Sequence, residues 1–251
     1  MPHRGKSRDN QAVVKQKPIF NEHVNEIQSM INKQYTDIHN AVADLPALAD
    51  GATLLCGGFG GAGVPHGLIE AVLDLNLRNL TLVSNNAGST DIDIAILLKN
   101  GCVGKVICSF PRASASTVFE ELYAAGKVEL EVVPQGTLAE RIRAGGAGIP
   151  AFYTATAYGT PLAEGKELRE FNGRHYVMEE AIRGDVALIH AREGDRWGNL
   201  TYPMTSRNFG PVMATAADHT IAEVRQFVEA IDPENVVTPG IFVQRVVEVT
   251  V

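Results

Sequence analysis

Five glycines in a seven-residue run, Gly57, Gly58, Gly60, Gly61 and Gly63, are the part of this sequence best equipped for chemistry; Phe59 and Ala62 stand between them. The apolar run Thr53-Leu54-Leu55-Cys56 leads in, and a periodic stretch with Leu68, Ile69, Val72 and Leu73 follows Pro65. That order reads strand, glycine loop, helix. Glycine lets the main chain turn sharply and lets a ligand approach the backbone closely. The helix behind the loop offers unsatisfied N–H groups and a partial positive charge to an anion. Pro65 suits its first turn, where a missing N–H costs nothing. A plain turn needs fewer glycines, so the loop reads as a binding element. Gly58, Gly60 and Gly63 also satisfy G-x-G-x-x-G. The dinucleotide fingerprint expects an acid about twenty residues on, at the end of the second strand. Here that strand ends Leu82-Val83-Ser84-Asn85-Asn86, with amides and no carboxylate. The dehydrogenase reading falls behind on that ground.

Two amides stand at sites where ligands bind in open α/β sheets, the carboxyl ends of strands. Gln135 follows the strand expected over 130–133, and Asn85 holds the equivalent place after the strand over 80–84. Asn85 also fits a turn asparagine that bonds its own backbone. Paired acids occur at Glu120-Glu121 and Glu179-Glu180, in contexts that read as helical, polar and solvated. No nucleophile is assigned to this chain. His190 reads as packed or capping, Trp197 as filling a niche and Cys56 as a buried strand thiol. The seven histidines show no paired metal spacing, so no metal site is expected.

The elements that must position these groups alternate. Strands are expected over 53–56, 80–84, 106–109, 130–133, 186–190 and 242–247, and amphipathic helices over 68–75 and 118–125. A first helix on Ala41, Val42, Leu45, Leu48 and Ala49 is disturbed by Pro46. Gly126 suits a helix end that needs positive φ. Thr137 and Glu140 have capping-box spacing, so a helix is expected from Thr137 to about Gly145-Gly146. Such alternation predicts an α/β fold, an open and mostly parallel sheet with helices on both faces. The less regular stretch 153–176 predicts a small irregular or antiparallel lobe. Residues 1–29 are polar with little periodicity and read as a flexible extension, and Met30 offers an alternative start. A net charge of -7 argues against nucleic acid, and no apolar run has the length of a membrane helix. Three cysteines, Cys56, Cys102 and Cys108, read as reduced structural thiols in a cytoplasmic protein.

The run from Asp50 to Pro65 resembles the A-subunit signature of the family I CoA-transferases. So do Ser84-Asn85-Asn86-Ala87-Gly88, the run from Val133-Pro134-Gln135-Gly136 to Arg143, the run Gly194-Asp195-Arg196-Trp197-Gly198-Asn199-Leu200, Arg207-Asn208-Phe209 and the run from Thr238-Pro239-Gly240 to Val243. The resemblance implies a CoA-transferase A-subunit domain over 30–251. It implies that Gly57, Gly58, Phe59, Gly60, Gly61, Ala62 and Gly63 bind CoA, that Gln135 is an oxyanion donor or substrate contact, and that Asn85 is a further contact. It implies a nucleophilic glutamate on a partner B subunit, in a Ser-Glu-Asn-Gly-type motif that this chain lacks. CoA would pass through a glutamyl–CoA thioester in a heterodimer or heterotetramer, with no cofactor beyond the CoA thioester substrate. Ser109-Phe110-Pro111-Arg112 and the run from Phe119 to Tyr123 are similar to the branch using succinyl-CoA and 3-oxoadipate. The run from Ile149 to Thr154 and that from Arg169 to Gly173 resemble the acetoacetate branch equally well. A dicarboxylic acceptor needs a cation, for which Arg112 is the candidate. An acyl-CoA hydrolase, a non-catalytic CoA-binding module and a sugar-phosphate isomerase are the readings from other classes.

Overall fold

The structure is a computed structural model that describes residues 31–88, 92–112 and 116–249. The expected extension over 1–29 lies outside the described residues. The main sheet contains β1 (Gln34–Tyr35), β2 (Thr53–Cys56), β3 (Leu80–Val83), β4 (Val103–Cys108), β5 (Glu129–Val132), β9 (Gly184–Gly194), β10 (Leu200–Thr201), β11 (Ala217–Phe227) and β12 (Arg245–Glu248). Its order is β1-β12-β11-β9-β2-β3-β4-β5, all parallel, with β10 antiparallel to β9. The strand order reverses at β2. From there the chain builds outward through β3, β4 and β5, and later returns to lay β9 on the other side. A crevice opens at such a switch point, and the glycine loop leaves β2 there.

Parallel strands are covered on both faces, which is why β2 and β3 read as apolar runs. One face packs Leu54, Leu82, Val106, Leu188 and Ile221 against the helices α1 (Ile38–Val42), α2 (His66–Asp74), α3 (Ala95–Lys99) and α4 (Val118–Ala124). The other packs Leu55, Val83, Ile107, Ile189 and Val224 against α5 (Gln135–Gly146) and α6 (Gly210–Ala216). A separate antiparallel sheet, ordered β6-β8-β7, joins β6 (Ala151–Thr154), β7 (Leu168–Phe171) and β8 (Arg174–Glu180), so the expected lobe is a three-stranded sheet.

Several boundaries differ from expectation for local reasons. Pro65 precedes α2, and its carbonyl accepts the Ile69 N–H. The capping box does not form. α5 begins two residues earlier at Gln135, Thr137 is buried, and Glu140 pairs with Arg143 at 2.6 Å. α1 stops at Val42, and the Leu45 and Leu48 side chains pack without a helix to carry them. The strand expected over 242–247 starts at Arg245. Lys33 Nζ donates to the carbonyls of Gly240 (2.6 Å) and Val243 (2.7 Å), which fixes a 3-10 turn over Gly240–Phe242. β11 was not expected at all, because Asp218, His219, Thr220, Glu223, Arg225 and Gln226 hide its apolar faces. Glu179-Glu180 lies on strand β8 and not on a solvated helix. Glu179 is 2% exposed and accepts from Lys166 Nζ at 2.7 Å.

Candidate active site at the sheet switch point

The glycine loop is a structured element. Phe59 and Ala62 exchange two backbone hydrogen bonds of 3.0 Å, which closes a two-residue turn over Gly60 and Gly61. Both central φ values are positive, +54° and +88°, as a type I′ turn demands. Gly58 and Gly63 answer to packing. A Cβ on Gly58 would lie 2.6 Å from Val64 Cγ2, and one on Gly63 would lie 2.5 Å from the Ser206 carbonyl oxygen. Turn geometry and packing therefore account for four of the five glycines, and at Gly57 a Cβ would make an ordinary contact 3.4 Å from the Leu188 carbonyl oxygen. What faces outward is the tip, where a Cβ on Gly60 or Gly61 would meet nothing within 4 Å.

The anion place expected at the start of α2 is filled from within. The Leu68 N–H donates to Glu223 Oε2 at 3.0 Å, so a buried carboxylate already occupies that helix end.

Gln135 and Asn85 are brought together. Gln135 Nε2 donates to Asn85 Oδ1 at 2.8 Å, across 50 residues of sequence. The Ser109 hydroxyl, with one proton to give, lies within reach of the same Oδ1 at 3.0 Å and of the Asn85 carbonyl at 2.9 Å. Asn85 is buried, and its side-chain oxygen accepts from Gln135. It therefore orients Gln135. Gln135 keeps a second Nε2–H for a ligand. Strand ends supply this pairing, since Asn85 follows β3, Ser109 follows β4 and Gln135 follows β5.

A surface pocket of about 270 Å³ lies beside the pair, lined by Phe59, Gln135, Gly136, Ala139, Asn208, Phe209 and Val212. Its lining is mostly apolar, with the Gln135 and Asn208 amides as its polar groups. A smaller cleft is lined by Gly57, Gly58, Gly61, Asn85 and Asp93 among others. The loop, Asn85 and Gln135 thus border one region. Asn208 and Phe209 were not expected there. Asn208 Nδ2 donates to the Ala62 carbonyl at 2.9 Å and ties the 3-10 turn Met204–Arg207 to the loop.

The remaining conspicuous residues lie elsewhere or serve the frame. Arg112 is exposed, 3.5 Å from Glu120 Oε1, and does not line the pocket. Asp195, fully buried, accepts from the N–H groups of Trp197 and Asn199 and builds the β9–β10 turn. Trp197 lies under the Arg196 guanidinium, 4.5 Å from its ring centroid. Cys56 is buried, and burial first, then Asp93 and Glu223, pushes its thiol pKa far up, so it is no nucleophile. Among the described residues, no three His, Cys, Asp or Glu side chains are grouped to hold a metal ion. No helix of the described residues is long and apolar enough to cross a membrane.

The family model for coenzyme A transferase matches residues 35–249. The chain belongs to the coenzyme A transferase family. Its relatives include the A subunit of 3-oxoadipate CoA-transferase from Pseudomonas putida, 58% identical over 223 residues, 88% of this chain and 95% of that protein. They include the A subunit of succinyl-CoA:3-ketoacid coenzyme A transferase from Xanthomonas campestris pv. campestris, 52% identical over 217 residues, 86% of this chain and 88% of that protein. Glutaconate coenzyme A-transferase from Acidaminococcus fermentans shares the fold at a TM-score of 0.76 and 21% identity, over 87% of this chain and 76% of that chain. As a member of the coenzyme A transferase family, the chain is an enzyme component that handles CoA thioesters. The dehydrogenase and isomerase readings are set aside.

Proposed function

We propose that this chain is the A subunit of a 3-oxoacid CoA-transferase that moves CoA from succinyl-CoA to a 3-oxo acid, with 3-oxoadipate as the preferred acceptor. The observation that carries the reading is the Asn85-oriented Gln135 amide, set beside an apolar pocket whose lining has no carboxylate. Such a half-site can hold a thioester and steady charge on its oxygen, yet it lacks a nucleophile. A B subunit carrying a glutamate completes it, in a heterodimer or heterotetramer.

In this reading the partner glutamate attacks the thioester carbonyl. The C–S bond breaks, CoA leaves as thiolate, and an acyl–glutamyl anhydride remains. The thiolate then attacks the glutamyl carbonyl, the donor acid leaves as carboxylate, and a glutamyl–CoA thioester forms. The acceptor carboxylate runs these steps in reverse. This is covalent catalysis in ping-pong order, and it calls for no metal or redox group. Gln135 donates its second Nε2–H to the oxygen as it becomes negative. The amide is held at the first turn of α5 and needs no reorganisation during the reaction. The exposed Gly60-Gly61 tip borders the CoA side, with Gly57, Gly58, Phe59, Ala62 and Gly63 as its support.

Relatives named for both acceptors stand above 50% identity, and the higher value belongs to the 3-oxoadipate enzyme. The test is direct. The chain is assembled with its B subunit, and kcat/KM is measured with succinyl-CoA against 3-oxoadipate and acetoacetate. A clear preference for 3-oxoadipate supports the reading. A preference for acetoacetate moves the chain to the other branch, and release of free acid with neither acceptor present would make it a hydrolase.

A further inference from the structure

Beneath the glycine loop lies a buried polar chain that the steps above do not use. Glu223 on β11 is 2% exposed. Its Oε2 accepts from the Leu68 N–H at 3.0 Å, in the first turn of α2. His190 Nδ1 lies 2.9 Å from its Oε1 and donates to it, because an ionised carboxylate only accepts. Arg225 Nε stands 3.4 Å from the other ring nitrogen of His190. His190 and Glu223 are register partners on adjacent strands, so the sheet itself aligns them. Gly67 leaves room for both Ile38 and the carboxylate, since a Cβ there would lie 2.7 Å from Ile38 Cδ1 and 3.2 Å from Glu223 Oε2.

The other end of the loop is tied to the same strand. The Gly57 N–H donates to the Leu188 carbonyl at 2.9 Å, two residues before His190. β9 therefore holds both feet of the loop, one directly through Leu188 and one through His190, Glu223 and Leu68. A buried charge without a pairing role would be costly, and this one has its compensation aimed at a helix start.

We propose that Glu223 is a positioning residue for the transfer reaction. It sets the α2 foot of the glycine loop, and His190 fixes its carboxylate. The proposal rests on the reading of the loop as the CoA side of the site. In the chain assembled with its B subunit, Glu223→Ala raises KM for succinyl-CoA roughly five- to tenfold, the scale of a lost helix cap, and changes kcat less. Hydrogen exchange in residues 57–68 accelerates while β2 and β9 stay protected. Glu223→Gln restores both in part, because its amide oxygen still accepts from Leu68 while its NH2 faces His190 Nδ1 where an oxygen stood.

Unchanged exchange over 57–68 in a folded Glu223→Ala chain overturns the proposal, and so does a Glu223→Gln chain as defective as the alanine variant. Faster exchange with unchanged KM and kcat has a different meaning. It shows that the loop is not the CoA side, and it leaves Glu223 with no part in the reaction.

Discussion

At the scale of single residues, the Gln135 amide has one N–H committed to Asn85, and in the proposed reaction the other meets a substrate oxygen. That oxygen is a weak acceptor in the bound thioester and a strong one under attack. Such an interaction appears in kcat. Gln135→Ala should lower kcat about a hundredfold, as loss of one oxyanion donor does elsewhere, with KM little changed. Steady-state kinetics of the assembled enzyme decide it, and a change confined to KM would make Gln135 a loop residue. Asn85→Ala should lower kcat by less, and the double variant should be no worse than Gln135→Ala, because Asn85 acts through Gln135. Additive losses would mean that Asn85 meets substrate itself. The places of both amides just beyond strand ends were legible in the sequence, because apolar runs precede them. Asn208 was not. It reaches Ala62 from 146 positions away, and no local pattern in the sequence points along that path.

At the scale of elements, the glycine loop and α5 carry separate expectations. Gly61 sits at φ +88° on an exposed tip with open space where a Cβ would go. Gly61→Val should cost about 1 to 2 kcal/mol in backbone strain, lower Tm by a few degrees, and raise KM for acyl-CoA well beyond that loss. A folded variant with normal CoA affinity would remove the tip from the site. α5 is held from its side by Arg141, whose Nη1 donates to Glu131 Oε1 at 2.6 Å and whose Nε donates to the Glu180 carbonyl at 2.7 Å. Burial pushes the Glu131 carboxyl up, but hydrogen bonds from Arg141 and Lys105 outweigh it and hold the group below its ordinary value of 4.5. A depressed carboxyl contributes stability that is complete above the ordinary value and is lost as pH falls through the folded one. Glu131→Gln should therefore flatten the acid limb of a Tm-against-pH curve. Parallel curves for the two proteins would show that this pairing contributes nothing. Strand–helix alternation was readable up to β5 because β2 and β3 are apolar runs and β4 and β5 keep apolar residues such as Val106, Ile107 and Leu130. It was not readable at β11, where buried Glu223 and Thr220 break the run with side chains whose partners lie on other elements.

At the scale of the whole molecule, the proposed function makes the Gln135 amide, beside a pocket whose lining holds no carboxylate, half of a reaction centre. The purified chain should show no CoA exchange between succinyl-CoA and succinate, and mixing with its B subunit should establish it. Exchange by rigorously pure single chain would sink the two-subunit reading. The half-molecule must also persist in solution before assembly, and its sheet margins bear on that. Open strand edges recruit other strands. One margin here is β1, two residues long. The other is β5, where Glu129 and Glu131 alternate along the rim and Lys105 and Arg141 engage Glu131. A second copy adding to that rim would bring its own acids alongside the first set, and like charges set opposite each other in a ladder repel. Among the described residues, a nine-stranded sheet with a short strand at one limit and a charged one at the other offers little to an added strand.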